Sequence, residues 1–391
     1  MSASTITFFP VDNGSMILLK LNNQKETTIL IDIHIRNSDS NEEIIDVVPL
    51  LHDFLNKDSE GRPFIDAFLL THNDADHIKG LENNFYLGSL DEYKYPDDES
   101  DDLMKIVINE MWGSSTFWKR ESSSNSLCPD AKAYNKEMKR RVKLYEDEGK
   151  IQEAGNRVQI LCSDPEGNTD NLGDIVRELD TSFTVVNGLD LAGKCKINLL
   201  GPLPQQEDEE EEDYKKSNRA SVILQLEITE NNYINKVLIA GDAEVFTWDT
   251  LWEKFKSDTN ILEYDILQCP HHCSWHSLSY DSYSQNEDPK VCDNAKSALS
   301  QSKSGGFIIS SSKAILDDEN DPPSHAAKEE YLTIIDKSHF LCTGEYPNKT
   351  NLEPITINLT SSGPQEKSRP SKSKISSASS AATGQAFPHG K

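Results

Sequence analysis

One stretch of six residues constrains this chain more than any other: His72-Asn73-Asp74-Ala75-Asp76-His77, set directly after the apolar run PFIDAFLL. Four of the six side chains, His72, Asp74, Asp76 and His77, are of metal-ligand type. The run before them is short and apolar, which suits a buried strand. A strand points alternate side chains to one face, so His72 and Asp74 reach one place together. Asp76 and His77, where the chain turns into a helix, reach a second place beside it. Two cations about 3.5–4 Å apart are what hydrolysis of a phosphodiester or similar bond requires. The plainer reading, a polar loop after a strand, does not account for further ligands at later strand ends.

Those ligands are Asp242, in LIAGDAE, and the pair His271 and His272, in LQCPHHCSWHS. Each follows an apolar run that ends in a tight turn. A carboxylate at Asp242 has one oxygen for each of two cations, and an imidazole at 271 or 272 completes a shell. Cys269, His271, His272, Cys273 and His276 can also be read as a zinc knuckle, but their spacing fits no common finger. His34 and His52 are most simply ordinary residues of a strand end and a helix.

Around these pieces the chain reads as α/β. ITFFPVDNGSMILLKLNN and TTILIDIHIR suggest two strands in a hairpin, and EEIIDVVPLLHDFLN a helix. Core-like strands return in KCKINLLGPLP, SVILQLEI, KVLIAGDAE, EYDILQCPHHC and GGFIISSS. The segment 81–190 is looser and reads as a largely helical insertion, with a helix from Ala131 to about Gly155. Trp112 and Trp118 within it are expected to pack rather than to stack bases. The seven acids 207–213 suit a solvated loop. A hydrolase domain over 1–361 is expected, followed by a disordered Ser/Lys-rich tail over 362–391.

Charge narrows the partners. A net charge of −27 repels phosphate backbones, so general coating of nucleic acid is excluded. Local contact survives, through metal ions that invert the sign of a cleft or through a small basic patch. Lys132, Lys136, Arg140 and Lys143 recur at helical spacing, with Lys139 and Arg141 beside them. Lys136, Arg140 and Lys143 are therefore candidate contacts to a nucleic-acid backbone, against the plainer reading of a solvated helix balanced by Glu146, Asp147 and Glu148. No run approaches the length needed to span a bilayer, and the start lacks a basic, then apolar, leader. Seven irregularly spaced cysteines argue against a disulfide framework. A cytoplasmic protein with no membrane contact is expected.

Taken together, HNDADH, preceded by LIDIHIR and followed by Asn218-Arg219-Ala220-Ser221, IAGDAE and PHHCS, resembles the metallo-β-lactamase fold. More specifically, it is similar to the hydrolase domain of bacterial DNA-uptake channel proteins of the ComEC type. The resemblance implies a four-layer αβ/βα sandwich with a dinuclear site where the loops of two sheets meet. It implies hydrolysis of a phosphodiester by a metal-bound hydroxide, with DNA the favoured substrate. By motif position His72 and Asp74 would hold one ion, Asp76 and His77 the other, with Asp242 bridging; Asp76 and Asp242 would thus serve catalysis. Asp32 would orient a ligand.

There are departures. No histidine stands between His77 and His271, so Asn218 or a water must fill the place of a third imidazole. Cys273 stands where the resembled group has Gly. The late Gly-His-Pro element survives only as DPPSH, making His325 a candidate catalytic contact to the substrate phosphate. The mixed ligands suit Zn²⁺ or Mn²⁺, leaning to Mn²⁺. Two alternatives are a phosphodiesterase of small or cyclic nucleotides and a non-catalytic binding module on the same scaffold. A protein partner is compatible with each, and oligomeric state is left open.

Overall fold

The apolar runs assemble into two mixed sheets laid face to face. The computed structural model describes residues 3–36, 45–96, 103–115, 127–164, 166–204 and 218–367. In the first sheet the main strands are β1 (Ser4–Phe8), β2 (Ile17–Lys20), β3 (Thr28–Ile31), β4 (Pro63–Leu70), β5 (Ile106–Ser114), β6 (Arg157–Leu161) and β7 (Val176–Arg177). In the second they are β8 (Ser182–Phe183), β9 (Cys195–Gly201), β10 (Ile223–Glu230), β11 (Tyr233–Ile239), β12 (Tyr264–Gln268), β13 (Ser302–Ser310) and β14 (Phe340–Cys342). The chain then returns to the first sheet with β15 (Ile355–Thr360) and β16 (Gly363–Glu366).

The first sheet runs β16-β15-β1-β2-β3-β4-β5-β6-β7 and the second β8-β9-β10-β11-β12-β13-β14. Each is antiparallel in one half and parallel in the other. The parallel pairings are β3 to β7 in the first sheet and β11 to β14 in the second. Parallel strands need crossovers, and helices supply them. These are α1 (Val47–Phe54), α2 (Ala75–Ile78) and α3 (Pro129–Glu148) for the first sheet, and α4 (Val245–Phe255), α5 (Asp293–Leu299) and α6 (His325–Tyr331) for the second.

Three apolar layers hold this together. Between the sheets, Phe8, Ile31, Leu69 and Trp112 meet Leu199, Leu226, Ile239 and Ile309. Outside the first sheet, Phe68, Ile108 and Met111 pack with Leu51 of α1 and Tyr134 and Met138 of α3. Outside the second, Leu238 and Ile308 pack with Trp248, Ala298 and Tyr331 from α4, α5 and α6. Helix, sheet, sheet and helix make the layered α/β sandwich.

Several sequence expectations change. Three strands, not two, form before residue 32, because the chain turns back between β1 and β2 and again between β2 and β3. The segment 81–190 is not a largely helical insertion: β5 is buried along its whole length and pairs with β4, and β6 continues the sheet. Its looser pattern follows from strands buried on both faces, which lose the alternation a half-exposed strand shows. The helix there runs Pro129–Glu148, with Pro129 in its first turn and Gly149 closing it at φ 62°, so it stops short of Gly155. The boundary at 362 also moves, since β16 pairs with β15 beyond it. The acidic run 207–213, Trp118 and the tail from 368 lie outside the described residues. All seven cysteines are free thiols, and no helix among the described residues is long and apolar enough to cross a membrane.

Candidate metal centre

Loops at the carboxyl ends of the parallel strands converge where the two sheets face each other, the usual place for a site in such sheets. From the first sheet come Asp32 after β3, Thr71 and His72 after β4, and Asp76 and His77 in α2. From the second come Asp242 after β11, His271 and His272 after β12, and Ser311 after β13. The seam is tied by Val222 N donating to Thr71 O at 2.9 Å, and within the second sheet His271 N donates to Gly241 O at 3.0 Å. Gly241 has φ 52°, and a Cβ there would lie 3.1 Å from Thr71 and 3.2 Å from Ser221. That turn needs glycine on both counts.

Among the described residues, Asp76, His77, Asp242 and His272 place one ligand atom each within 4.8 Å of one another. His77 Nε2 lies 3.0 Å and His272 Nε2 3.5 Å from Asp242 Oδ1, and His272 Nε2 lies 3.4 Å from Asp76 Oδ2. His77 Nε2, His272 Nε2 and Asp242 Oδ1 are buried without a hydrogen-bond partner. Buried polar atoms are normally paired. Orphaned nitrogens and a carboxylate oxygen facing a common point are what a cation would satisfy, so these residues fit a metal site.

The neighbours hold these rings from behind. His77 Nδ1 lies 2.8 Å from Asp32 Oδ2, and Asp32 itself accepts from Thr71 N at 2.7 Å and Thr71 Oγ1 at 2.5 Å. His272 Nδ1 meets Ser311 O at 2.8 Å. A carbonyl only accepts, so the proton sits on Nδ1 and Nε2 is left to face the cluster. Burial disfavours charge on His77, but Asp242 and Asp32 outweigh it and hold its pKa well above the ordinary 6.5. His272 is raised for the same reason, with Asp242 and Asp76 overcoming burial. Burial would raise Asp242, yet His77 and His272 pull it well below the usual carboxylate value, and Asp76 is lowered likewise by His272 and His77.

The remaining sequence-predicted ligands stand beside this group. The His72 ring is 5.9 Å from that of His77, and its Nε2 is 3.0 Å from Asp74 Oδ2. His271 Nε2 lies 3.8 Å from the other oxygen of Asp242, Oδ2, while its Nδ1 is 3.6 Å from Glu244 Oε1. Glu244 stands near His271 without a hydrogen bond to it, His271 Nδ1 being buried without a partner, and sequence reading missed it. Its signal was its position two residues after Asp242, at the N-cap of α4. Asn218 does not face the cluster through its amide nitrogen, which donates to Glu244 Oε1 at 2.9 Å. His271, His272 and Cys273 have φ of 47°, 52° and 67°, so the absent Gly at 273 is replaced by strained backbone. Such conformations cost about 1–2 kcal/mol per residue and concentrate at functional sites.

Other candidates have charged neighbours of their own. His325 opens α6, where its nearest charged neighbours are Asp317 and Glu329, both at 3.8 Å. On α3, Arg140 is bound to Glu137 and Asn156, and Lys143 to Asp147, while Lys136 is exposed. Arg141 is buried against Glu137 and the carbonyls of Ile108 and Arg157. The predicted basic stripe is thereby partly consumed by packing.

A scan against protein-family models finds no match. A search of curated proteins likewise returns none. Among solved structures, unliganded yeast PDE1 is similar at 11% identity over 87% of this chain and 96% of that chain, with a TM-score of 0.38. A protein of unknown function from Enterococcus faecalis V583 is similar at 11% identity over 77% of this chain and 56% of that chain, with a TM-score of 0.29. Likeness this distant carries nothing about the chemistry, which rests on the residues of the centre.

Proposed function

We propose that this chain is a hydrolase of phosphodiester bonds working with two divalent cations, Zn²⁺ or Mn²⁺. The observation that carries the reading is the convergence of ligand atoms from Asp76, His77, Asp242 and His272, those of the last three buried without a hydrogen-bond partner, with His72, Asp74 and His271 beside them. Asp76, His77, Asp242 and His272 would hold one ion, and His72 and Asp74 the other, with His271 beside Asp242. Bound there, divalent cations supply an activated water at neutral pH and neutralise charge on the phosphate oxygens. The chain's own work is orientation: Asp32 and Ser311 fix two imidazoles, those of His77 and His272, from their far nitrogens.

DNA is the substrate favoured by the family resemblance. Small phosphodiesters are the second reading, supported by the pairing of Arg140 with Glu137 and Lys143 with Asp147, which leaves little of α3 for a long backbone. The test is a digestion panel of single- and double-stranded DNA, RNA and a bis-aryl phosphodiester, with Zn²⁺ or Mn²⁺, beside Asp76→Ala. Cleavage by the wild type that the variant lacks is expected. Inertness of the metal-loaded wild type toward the whole panel would sink the reading.

A further inference from the structure

His34 is the histidine whose placement the metal centre leaves unexplained. It lies in the extended segment after β3, where Ile33 N donates to His77 O at 2.8 Å and Ile35 N to Lys79 O at 2.8 Å. Ile33 and Ile35 are buried, while His34 is only half-buried, as alternation along an extended chain requires. Its ring rests against the loop between β1 and β2. Nδ1 is 2.8 Å from Val11 O, and Gly14 approaches so closely that a Cβ there would stand 2.2 Å from Nδ1. The next residue, Ser15, donates its N–H to Asp76 O at 3.1 Å. Asn13 bridges to the second sheet's loops, donating to Pro322 O at 2.8 Å and accepting from Lys313 N at 3.0 Å. The ring is thus clamped in a strap that spans both sheets next to Asp76.

The clamp sets the chemistry. Val11 O can only accept, so Nδ1 carries the proton and Nε2 is a bare lone pair. Among the described residues nothing hydrogen-bonds that nitrogen. Burial pushes the ring's pKa down to about 4, against smaller raising effects from Val11 O and Asp76, so it is neutral at physiological pH. A neutral acceptor repels phosphate oxygens and takes an O–H or N–H donor instead. Asp76 acts on the ring through its charge, and the strap that holds the ring is itself bonded to Asp76 O through Ser15 N.

We propose that His34 recognises the substrate, its Nε2 accepting a hydrogen bond from a hydroxyl next to the scissile phosphate, so that ribonucleotide-type phosphodiesters are preferred over 2′-deoxy ones. This rests on the phosphodiesterase reading and turns its substrate class from DNA toward ribonucleotide-type diesters. The test compares a ribo- and a 2′-deoxyribo-dinucleotide of the same bases with the Mn²⁺-loaded full chain, the His34→Phe variant, which keeps a ring without the acceptor, and His34→Gln, which restores one. The wild type should favour the ribo substrate about tenfold in kcat/KM, through KM. His34→Phe should lose that preference, the ribo substrate losing far more than the deoxy one, and His34→Gln should recover part of it.

Calorimetric Kd values for the matching phosphorothioates separate the two failures. A ribo preference in Kd that His34→Phe abolishes supports the proposal even if neither dinucleotide is cleaved, a result that would count against the hydrolase reading alone. Equal Kd values in the wild type, or an equal loss for both ligands in His34→Phe, would overturn the proposal.

Discussion

At the residue scale the centre is a set of imidazoles whose orientation is fixed from behind. Asp32 is fully buried and contacts the far nitrogen of His77. Asp32→Ala should therefore weaken Mn²⁺ or Zn²⁺ binding by roughly 10–100-fold while leaving every proposed ligand in place; metal titration followed by calorimetry checks it, and unaltered affinity would remove Asp32 from the site. His34 gives a separate prediction. It is neutral in the fold down to about 4, whereas the unfolded chain protonates it near 6.5. Its contribution is whole above 6.5 and is lost as pH falls from 6.5 toward 4, because the unfolded state then binds the extra proton. Arg36 and Lys79 lower the ring further and Asp76 opposes them. Denaturation of wild type and His34→Gln across that range should show the steeper acid loss in the wild type.

At the element scale, α3 and the turn before α4 carry the sharpest expectations. Glu137 on α3 binds Arg140 and Arg141, with Arg141 buried beneath the helix. Burial would raise the Glu137 carboxyl, but the two guanidiniums hold it below its ordinary 4.5. Glu137→Ala leaves Arg141 buried without its carboxylate and should cost about 3–5 kcal/mol at pH 7. The pair's contribution is present above 4.5 and fades as pH falls through the lowered value, so the difference between variant and wild type should narrow in acid. Equal sensitivity at pH 7 and pH 3 would contradict this. In the turn, Gly241→Ala forces a left-handed residue against Thr71 and Ser221. A stability loss of about 1–2 kcal/mol should accompany a much larger fall in phosphodiester hydrolysis, because the next residue is Asp242.

For the whole molecule, the centre joins two sheets that otherwise meet through an apolar interface. Ligands from α2 and from the β11 and β12 loops stand on opposite sides of that interface. A cation held between them binds only the folded state. At a hundred times its Kd it should stabilise by about 2.7 kcal/mol, seen as a rise of a few degrees in Tm, reversed by chelation and absent in Asp242→Ala. A net charge of −27 adds a mass-scale reason, since cations relieve repulsion within the acidic cluster.

What the residues alone determined was the kind and order of the ligands. His72 and Asp74, on one face of an extended segment, and Asp76 and His77, at the turn into a helix, were legible as neighbouring ligand pairs, and Asp242, His271 and His272 because each follows an apolar run. The layered sandwich was what the family resemblance carried by these pieces implied. Tertiary packing decided the rest. Which of two adjacent histidines faces the cluster depends on left-handed backbone at 271–273 and on Ser311 behind the ring. Glu244 near His271, the strap that clamps His34, and the absorption of Arg140 and Arg141 into packing all join segments far apart in the chain. Spacing along a chain governs only near neighbours; contacts between distant segments exist once two sheets have closed on a shared core.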